Sequence, residues 1–530
     1  MSNENSVISK RELLKTIGIL GGSAAMYTAM QGLNKVHASL LTEPPKMSTE
    51  GNGKKIVILG GGISGMVTAI EMLKKGYECE IIEATSRAGG RCQSGRKGTV
   101  VQDQGGETQV CNFADDQYLN YGPWRIPVEH YSTLYYCRTL GVALEPMINK
   151  SSKAYLYSEN SGGPFQGRPI RQHEVEIDRQ GSVMELLAKC AHDGSLDDKV
   201  DQETIEMLVD YMRNTGLLSR KEMEYRGNRA RGYSNYPGVG MDLGELSDPY
   251  DLKELLQFKM GRKYETSDHP AVMFQAVGGM DQVAKGMFDA LPKNIFKFNS
   301  EIIDINQSSD EVVITYKNTE SGAVSTTRGD YCVCALPFPV LTSIKNNFRP
   351  ELMEALKAPS GVPAIKFGVQ MDRRFWEQDE MIFGGTSVTD IPGQGVLSYP
   401  SSDLHSDKGG VLLCAYSWGS QAAKLSNLSV EERVEFALSV GEKLHPGKFR
   451  KHYNGNAITM AWHKQKYSLG GWASWTARKR RKYMNTVLKG EERILFSSDT
   501  LYSEYPGWMG GAIEAAWLTM KELDKRAAQG

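Results

Sequence analysis

The 530-residue sequence has almost no net charge: 62 Lys and Arg against 63 Asp and Glu leave −1 at pH 7, with a pI near 6.8. That balance gives no electrostatic ground for nucleic acid or an anionic membrane as a partner. No C-x-x-C pair occurs among the eight scattered cysteines, Cys79, Cys92, Cys111, Cys137, Cys190, Cys332, Cys334 and Cys414. They read as small buried hydrophobes, without a disulfide framework and without a metal site. Internal repeats and low-complexity tracts are missing as well. The apolar run from Thr16 to Met30 is shorter than the ~20 residues of a spanning helix, so no stable membrane anchor is expected. The one dense basic cluster, RKRRK from Arg478 to Lys482, reads as a solvated surface turn. What is present, 40% hydrophobic and 24% charged residues, is the composition of a globular protein long enough for two or three domains.

The chain is organised around Lys55 to Arg91, KIVILGGGISGMVTAIEMLKKGYECEIIEATSRAGGR. An apolar strand runs into Gly60, Gly62 and Gly65 in G-x-G-x-x-G spacing, then a helix from near Ile63, then a second strand that Glu83 ends. The first glycine allows the sharp turn, the second a close approach of backbone to pyrophosphate, and the third helix-to-sheet packing. The helix aims free N–H groups and its positive dipole end at the phosphates. Glu83 stands roughly 20 residues downstream, where an acid meets a ribose hydroxyl. The turn that follows brings Arg87, Gly89, Gly90 and Arg91 together and suits a second phosphate contact, which moves the choice of dinucleotide from NAD towards FAD.

Ahead of this unit, SKRELLK (Ser9 to Lys15), the apolar run and VHAS (Val36 to Ser39) read as an export signal, with Lys10 where a twin-arginine signal has its first arginine. Export to the periplasm or medium is expected if that signal is used, and a cytoplasmic location otherwise. Residues Leu40 to Gly53 read as a linker.

Further along, Gly105 and Gly106 form a second glycine pair that lets backbone lie against a ring or phosphate. LNYGPWRIP presents Trp124 and Arg125 between two prolines, rigid enough for a carboxylate receptor. MELLAKC, ETIEMLVDYMRN and DLKELLQFKM give helical patterns within 171–260, and GNRARGYSNYPGVG between them reads as loop. AVGGMDQVAKGMFDAL is a glycine turn into a helix, EIIDINQSS and EVVITYKN a hairpin, and DYCVCALPFPVL a strand broken at Pro337 and Pro339. Cys332 and Cys334 should share one face of that strand. PAIKFGVQMDRRFW is a strand holding one lysine, Lys366, which either snorkels at an edge or is placed for chemistry. GGVLLCAYSWG puts Tyr416 near the end of another buried strand.

With these pieces in place, the chain resembles the flavin amine-oxidase family, and within it the L-amino-acid oxidases, over nearly all of 54–525. The resemblance rests on VILGGGISG with IIEATSRAGGR, YGPWRIP, PAIKFGVQMDRRFWE with GGTSVTDIP, CAYSWG, YSLGGW, ILFSSD and YPGWMGGAIEA. It implies an α/β fold: an FAD-binding Rossmann-like domain of the glutathione-reductase type (54–110, 268–345 and 484–530), interleaved with a mixed-sheet substrate domain (111–170 and 346–483) and a helical insertion (171–267), behind a signal-like segment (1–38) and a linker (39–53). The resemblance also assigns roles. Arg125 pairs with a substrate carboxylate, with the Tyr416 hydroxyl as second donor, and Lys366 holds a water near flavin N5. Gly507 and Trp508 shape the cavity before the flavin ring, with Trp472 a neighbouring wall. Asp499 stands in FSSD where the family has a glutamate, and Trp124 where it often has methionine; both, with Met509, are expected beside the flavin. The implied activity is FAD-dependent oxidative deamination of an L-amino acid to the imino and 2-oxo acid, releasing ammonia and hydrogen peroxide. The expected partners are an L-amino acid and oxygen, with a homodimer as the candidate assembly.

The chemistry asks for the same parts. Hydride removal from Cα needs a two-point carboxylate clamp to align the substrate. A helix N-terminus near Met509 to Ala512 would face developing negative charge on the flavin, and aromatic walls exclude water. No dedicated base is identified; His463 is the nearest candidate by sequence and reads as structural. Four other outcomes are weighed on the sequence: an amide-forming L-amino-acid 2-monooxygenase, an amine oxidase for substrates without a carboxylate, against which Arg125 argues, an amine dehydrogenase passing electrons to an acceptor other than oxygen, and a dinucleotide-binding protein without turnover.

Overall fold

In the computed structural model, which describes residues 42–258, 260, 269–501 and 505–529, the apolar run KIVIL forms the strand Lys55–Leu59 at the centre of a five-stranded parallel sheet. Its neighbours are Glu78–Ile82 on one side and Tyr331–Cys334 on the other, with Phe296–Lys297 and Ile494–Phe496 at the edges. Ile56, Val57, Ile58 and Leu59 are fully buried, as strands covered on both faces require. Cys332 and Cys334 pack in one cluster with Val57 and Leu59, on the single face the alternation requires. All eight cysteines are free. After Tyr331–Cys334 the chain does not stop at its prolines: Phe338–Leu341 is a short helix led by Pro337 and Pro339, where a missing N–H costs nothing.

A second, seven-stranded sheet runs in the spatial order Tyr453–Ala461, Ala364–Met371, Gly410–Trp418, Val396–Ser398, Thr386–Thr389, Tyr155–Tyr157, Ile170–Arg171. Its pairs are antiparallel except Thr386–Thr389 with Tyr155–Tyr157, so the sheet is mixed. Strands of the two sheets alternate along the chain. The hairpin Ser300–Gln307 with Val312–Asn318 forms as expected and is extended by Val324–Gly329.

Helices Gln172–His192, Gln202–Asn214 and Leu252–Gln257 make up the helical segment, the last ending well short of the DLKELLQFKM pattern. The stretch read as loop between them contributes the strand Tyr233–Asn235 to a ribbon with Glu245–Leu246 just beyond it. Buried Arg231 fastens it, donating from Nε to Asp178 Oδ1 and Oδ2 at 2.9 and 3.0 Å. A partner some fifty residues away sets that geometry, so no local pattern announces it. RKRRK is not a turn either: it lies on the helix Ala477–Lys489, capped by Thr476, with Lys479 donating to the Ala358 carbonyl at 2.8 Å and Lys482 paired to Glu354. The end of the expected linker is anchored, since Ser48 and Thr49 both hydrogen-bond Asp524 of the terminal helix. Burial works against that carboxylate's charge, but the four bonds prevail and bring it down to about 2. Residues 46–530 form one compact unit; the signal-like segment lies outside the described residues, none of whose helices is long and apolar enough to cross a membrane.

Candidate active site

Gly60 adopts φ +98°, turning the chain out of its strand, and a Cβ on Gly65 would stand 2.1 Å from the Gly60 carbonyl oxygen. Gly62 is different, because the nearest heavy atom to a Cβ there would be Gly90 Cα at 4.0 Å. Helix Ile63–Leu73 starts at Gly62 with no side-chain cap and no acid in its first turn, so its leading N–H groups are available to an anion. Glu83 is buried; its Oε2 accepts from the Gly61 N–H at 2.8 Å, and its Oε1 from the N–H and hydroxyl of Thr85 at 2.9 and 2.8 Å.

In the basic turn, exposed Arg87 donates to the carbonyls of Ala88 and Gly90 and so closes its own turn. Arg91 reaches across the fold, donating to the Gly471 carbonyl and to Asp499 Oδ1, both at 2.6 Å. Asp499 Oδ2 is buried with no hydrogen-bond partner among the described residues, an acceptor that a hydroxyl of a bound group would satisfy.

Two motifs distant in sequence meet next. The 119–126 loop lies directly on the basic turn: a Cβ on Gly122 would sit 2.2 Å from the Arg91 carbonyl oxygen, and the Gly122 N–H donates to Gln93. Just past Arg125, Ile126 exchanges both backbone hydrogen bonds with Phe274, on the strand Val272–Ala276. That strand pairs with Leu144–Ile148, after which comes Asn149. The Arg125 guanidinium donates to Asn149 Oδ1 at 2.6 Å, while Asn149 Nδ2 donates to the Pro270 carbonyl at 3.0 Å, so the amide holds the arginine in a fixed orientation. The guanidinium also lies 4.4 Å from the centre of the Trp124 ring and 5.9 Å from that of Trp508.

Lys366 sits on the strand Ala364–Met371, which has a partner on both sides, so it does not snorkel at an edge. Ile365, Phe367, Val369 and Met371 fill the core on one face, and Lys366 points to the other, 2% exposed. Its ammonium donates to the carbonyls of Asn120 and Gly122 at 3.1 and 2.5 Å, bracing the loop that carries Arg125. Burial, aided by the positive charge of Arg125, brings it down to about 7. Tyr416 is its cross-strand partner, with the lysine nitrogen 4.5 Å from the ring centre. Simple alternation would put Tyr416 on the opposite face from Leu413, but a bulge at Cys414 inserts one residue and brings both to the same side. Burial raises the Tyr416 hydroxyl, with Arg125 partly offsetting it, so it stays a protonated donor.

The aromatic end is closed by Trp472 and Trp508. A Cβ on Gly507 would press against Trp472 at 3.0 Å. Trp508 packs edge-on with His130 and His269, ring centres 5.0 and 5.7 Å away. Met509 begins the helix Met509–Gln529, which has no acid in its first turn, and its sulfur lies 3.7 Å from that of Cys92. His463 stands elsewhere, 2.8 Å from the Ser426 hydroxyl.

These groups surround one cavity of about 1680 Å³, beyond the ~300–1,000 Å³ of ordinary small-molecule sites. Every expected site residue lines it except Gly65, whose task is packing, and Gly106 of the second glycine pair. Gly105 reaches it from the tip of a hairpin, Val100–Gln102 with Thr108–Val110. Among the described residues the cavity has four acids. Glu83 and Asp499 belong to the dinucleotide end, Asp103 is paired to Arg433 and Glu301 to Lys466. No group of three or more metal-ligating side chains occurs among the described residues. Asn149, His130 and His269 also line the cavity and were not found from sequence, because no local motif surrounds them.

The family of flavin containing amine oxidoreductases matches residues 63–521. The chain belongs to this family. An L-amino-acid oxidase from Sistrurus catenatus edwardsii is 23% identical to it over 497 residues, with 90% of this chain and 88% of that one covered. Another, from Bothrops atrox, is 24% identical, with 90% of each chain covered. Cyclohexylamine oxidase from Brevibacterium oxydans shares the fold with a TM-score of 0.58 at 15% identity, covering 90% of this chain and all of its own. Putrescine oxidase bound to putrescine does so with a TM-score of 0.57 at 15% identity, covering 90% and 99%. The α/β architecture of an FAD-binding Rossmann-like fold with a mixed sheet is therefore as the sequence led one to expect, and the protein is a flavin amine oxidoreductase with FAD as its cofactor. The residues present fit that group: the open face of Gly62 and the uncapped helix suit its phosphates, the partnerless Asp499 oxygen a hydroxyl, and the helix Met509–Gln529 the ring end.

Proposed function

We propose that this flavin amine oxidoreductase deaminates L-amino acids, so that amino acid, oxygen and water give 2-oxo acid, ammonia and hydrogen peroxide. The observation that carries the reading is Arg125, aimed into the cavity beside Trp508 and held by Asn149, with the protonated Tyr416 hydroxyl on the same wall. A planar fork plus one further donor is a receptor for a carboxylate, which simple amines lack. An ammonium substrate group would want an acid in that place. Arg125 instead puts a positive charge there, one that bears on both Lys366 and Tyr416.

FAD, held at the glycine turn and the uncapped helix, would supply the two-electron acceptor for the Cα hydride, with oxygen as the final oxidant. The chain's own residues do the rest. Arg125 and Tyr416 fix the carboxylate and so the direction of the Cα–H bond. The Gly507 backbone receives the amine, and Trp472 and Trp508 keep water out. Lys366, with two N–H groups spent on the Asn120 and Gly122 carbonyls, has as a neutral amine one lone pair left to hold a water.

Arg125→Ala should lower kcat/KM for L-amino acids on the order of 100-fold or more, mostly through KM, while the purified variant stays yellow with full flavin content. Steady-state peroxide assays check it. An unchanged KM in a flavin-loaded variant would remove the carboxylate role.

A further inference from the structure

The turn that carries Gly507 and Trp508 is held at both ends by one ring, that of His130. Within the turn the Trp508 N–H donates to the Tyr505 carbonyl at 3.2 Å, and Gly507 adopts φ +81°. His130 is 2% exposed and lines the cavity. Its ring centre lies 4.1 Å from that of Tyr505 and 5.0 Å from that of Trp508, the latter pair edge to face at 82°. On the helix that follows, a Cβ on Gly510 would stand 3.2 Å from His130 Nδ1 and 3.4 Å from Ser132 Oγ, so the glycine is what lets the ring come close. Ser132 adds to this contact, its hydroxyl donating to Glu514 Oε1 at 3.0 Å.

His130 is tied to Arg125 as well. It follows Arg125 by five residues in RIPVEH. Its N–H donates to the Pro127 carbonyl at 3.0 Å, and it stands at the N-cap of the helix Tyr131–Thr139. One short segment stiffened by proline thus bears the carboxylate receptor at one end and, at the other, the ring that sets the turn facing the amine. Arg125 has supports of its own, Asn149 on its guanidinium and Phe274 on the backbone of Ile126. It would keep its place without the His130 ring, whereas the turn would lose the contact that its two ends share.

We propose, resting on the L-amino-acid reading above, that His130 is a positioning residue, which fixes the place of the amine-receiving Gly507 backbone relative to the carboxylate receptor Arg125. Two points of attachment set the direction of the Cα–H bond. A small shift of one against the other misaligns that bond while each receptor by itself stays intact. The edge-to-face contact with Trp508 and the close approach to Gly510 are the means, since each leaves the turn little room to slide.

The test compares the flavin-loaded parent with His130→Ala and Gly510→Ala. Peroxide release measures turnover of L-phenylalanine, L-leucine and L-alanine. Changes in flavin absorbance measure binding of the same acids without their amine: 3-phenylpropanoate, 4-methylpentanoate and propanoate. His130→Ala should lower kcat/KM about 10- to 100-fold, while Kd for the amine-free acids stays within about twofold of the parent. Gly510→Ala favours the helix in its own right but displaces the ring. It should lower kcat/KM about three- to tenfold, again with Kd unmoved. General damage to the fold would weaken turnover and binding together. If His130→Ala loses its flavin, Gly510→Ala decides alone. Equal losses in turnover and in amine-free binding, or unmoved turnover in the flavin-loaded variants, overturn this inference and leave the amino-acid reading standing. Oxidation of amines and of no L-amino acid removes both.

Discussion

Lys366 shows how one side chain can be read in two ways from sequence and in one from structure. Alternation along AIKFGVQM places it opposite the apolar core but cannot say whether its strand is central, since that depends on partners from 410–418 and 453–461. Once it is buried, its titration becomes a matter of stability. Its nitrogen titrates at about 7 in the folded protein, against about 10.4 for an exposed lysine. The unfolded chain therefore binds the extra proton between those values, and stability rises with pH through that window. The destabilisation is complete below pH 7 and fades by about 1.4 kcal/mol per pH unit above it. Lys366→Met should accordingly stabilise the flavin-loaded protein more at pH 6.5 than at pH 9, the advantage shrinking by about 2 kcal/mol. Denaturant unfolding at the two pH values measures it. A constant difference would mean that the lysine does not change charge in this range. Asn149 lies at the opposite extreme of legibility. It fixes Arg125, yet nothing around it in the sequence marks it, because its role follows from the pairing of Leu144–Ile148 with Val272–Ala276.

At the scale of elements, the legible parts were those whose geometry is enforced locally. The strand, glycine turn and helix at Lys55–Leu73 could be read because Gly60 turns the chain at φ +98° and Gly65 answers a clash with the Gly60 carbonyl within the same unit. Gly65→Ala tests this, since its Cβ would fall 2.1 Å from the Gly60 carbonyl oxygen and the helix would have to leave the sheet. The variant should be purified with much less flavin and be less stable by about 1–3 kcal/mol. Full flavin content at unchanged stability would show that the turn tolerates the methyl. Elements set by distant partners were misread instead. RKRRK took a helix because Thr476 caps it and Ala358 and Glu354 receive its lysines. The ribbon near residue 240 depends on Asp178, far upstream. The bulge at Cys414, which decides where Tyr416 points, exists only relative to Ala364–Met371.

At the scale of the whole molecule, two sheets built from alternating pieces of chain bring a dinucleotide end and a substrate end onto one cavity. Family membership gives FAD as the cofactor, and the residues of the first end fit it. The second end is what separates an amino-acid enzyme from an enzyme for simple amines, and solved structures of the latter share this fold. The account rests on recognition of a carboxylate there by Arg125 and Tyr416. The most direct measurement compares kcat/KM for L-phenylalanine with that for 2-phenylethylamine, the same molecule without its carboxylate, by peroxide and ammonia release from the flavin-loaded enzyme. The account predicts a preference for the amino acid on the order of 100-fold or more, with equal yields of peroxide and ammonia. An equal or greater rate with the amine would contradict it.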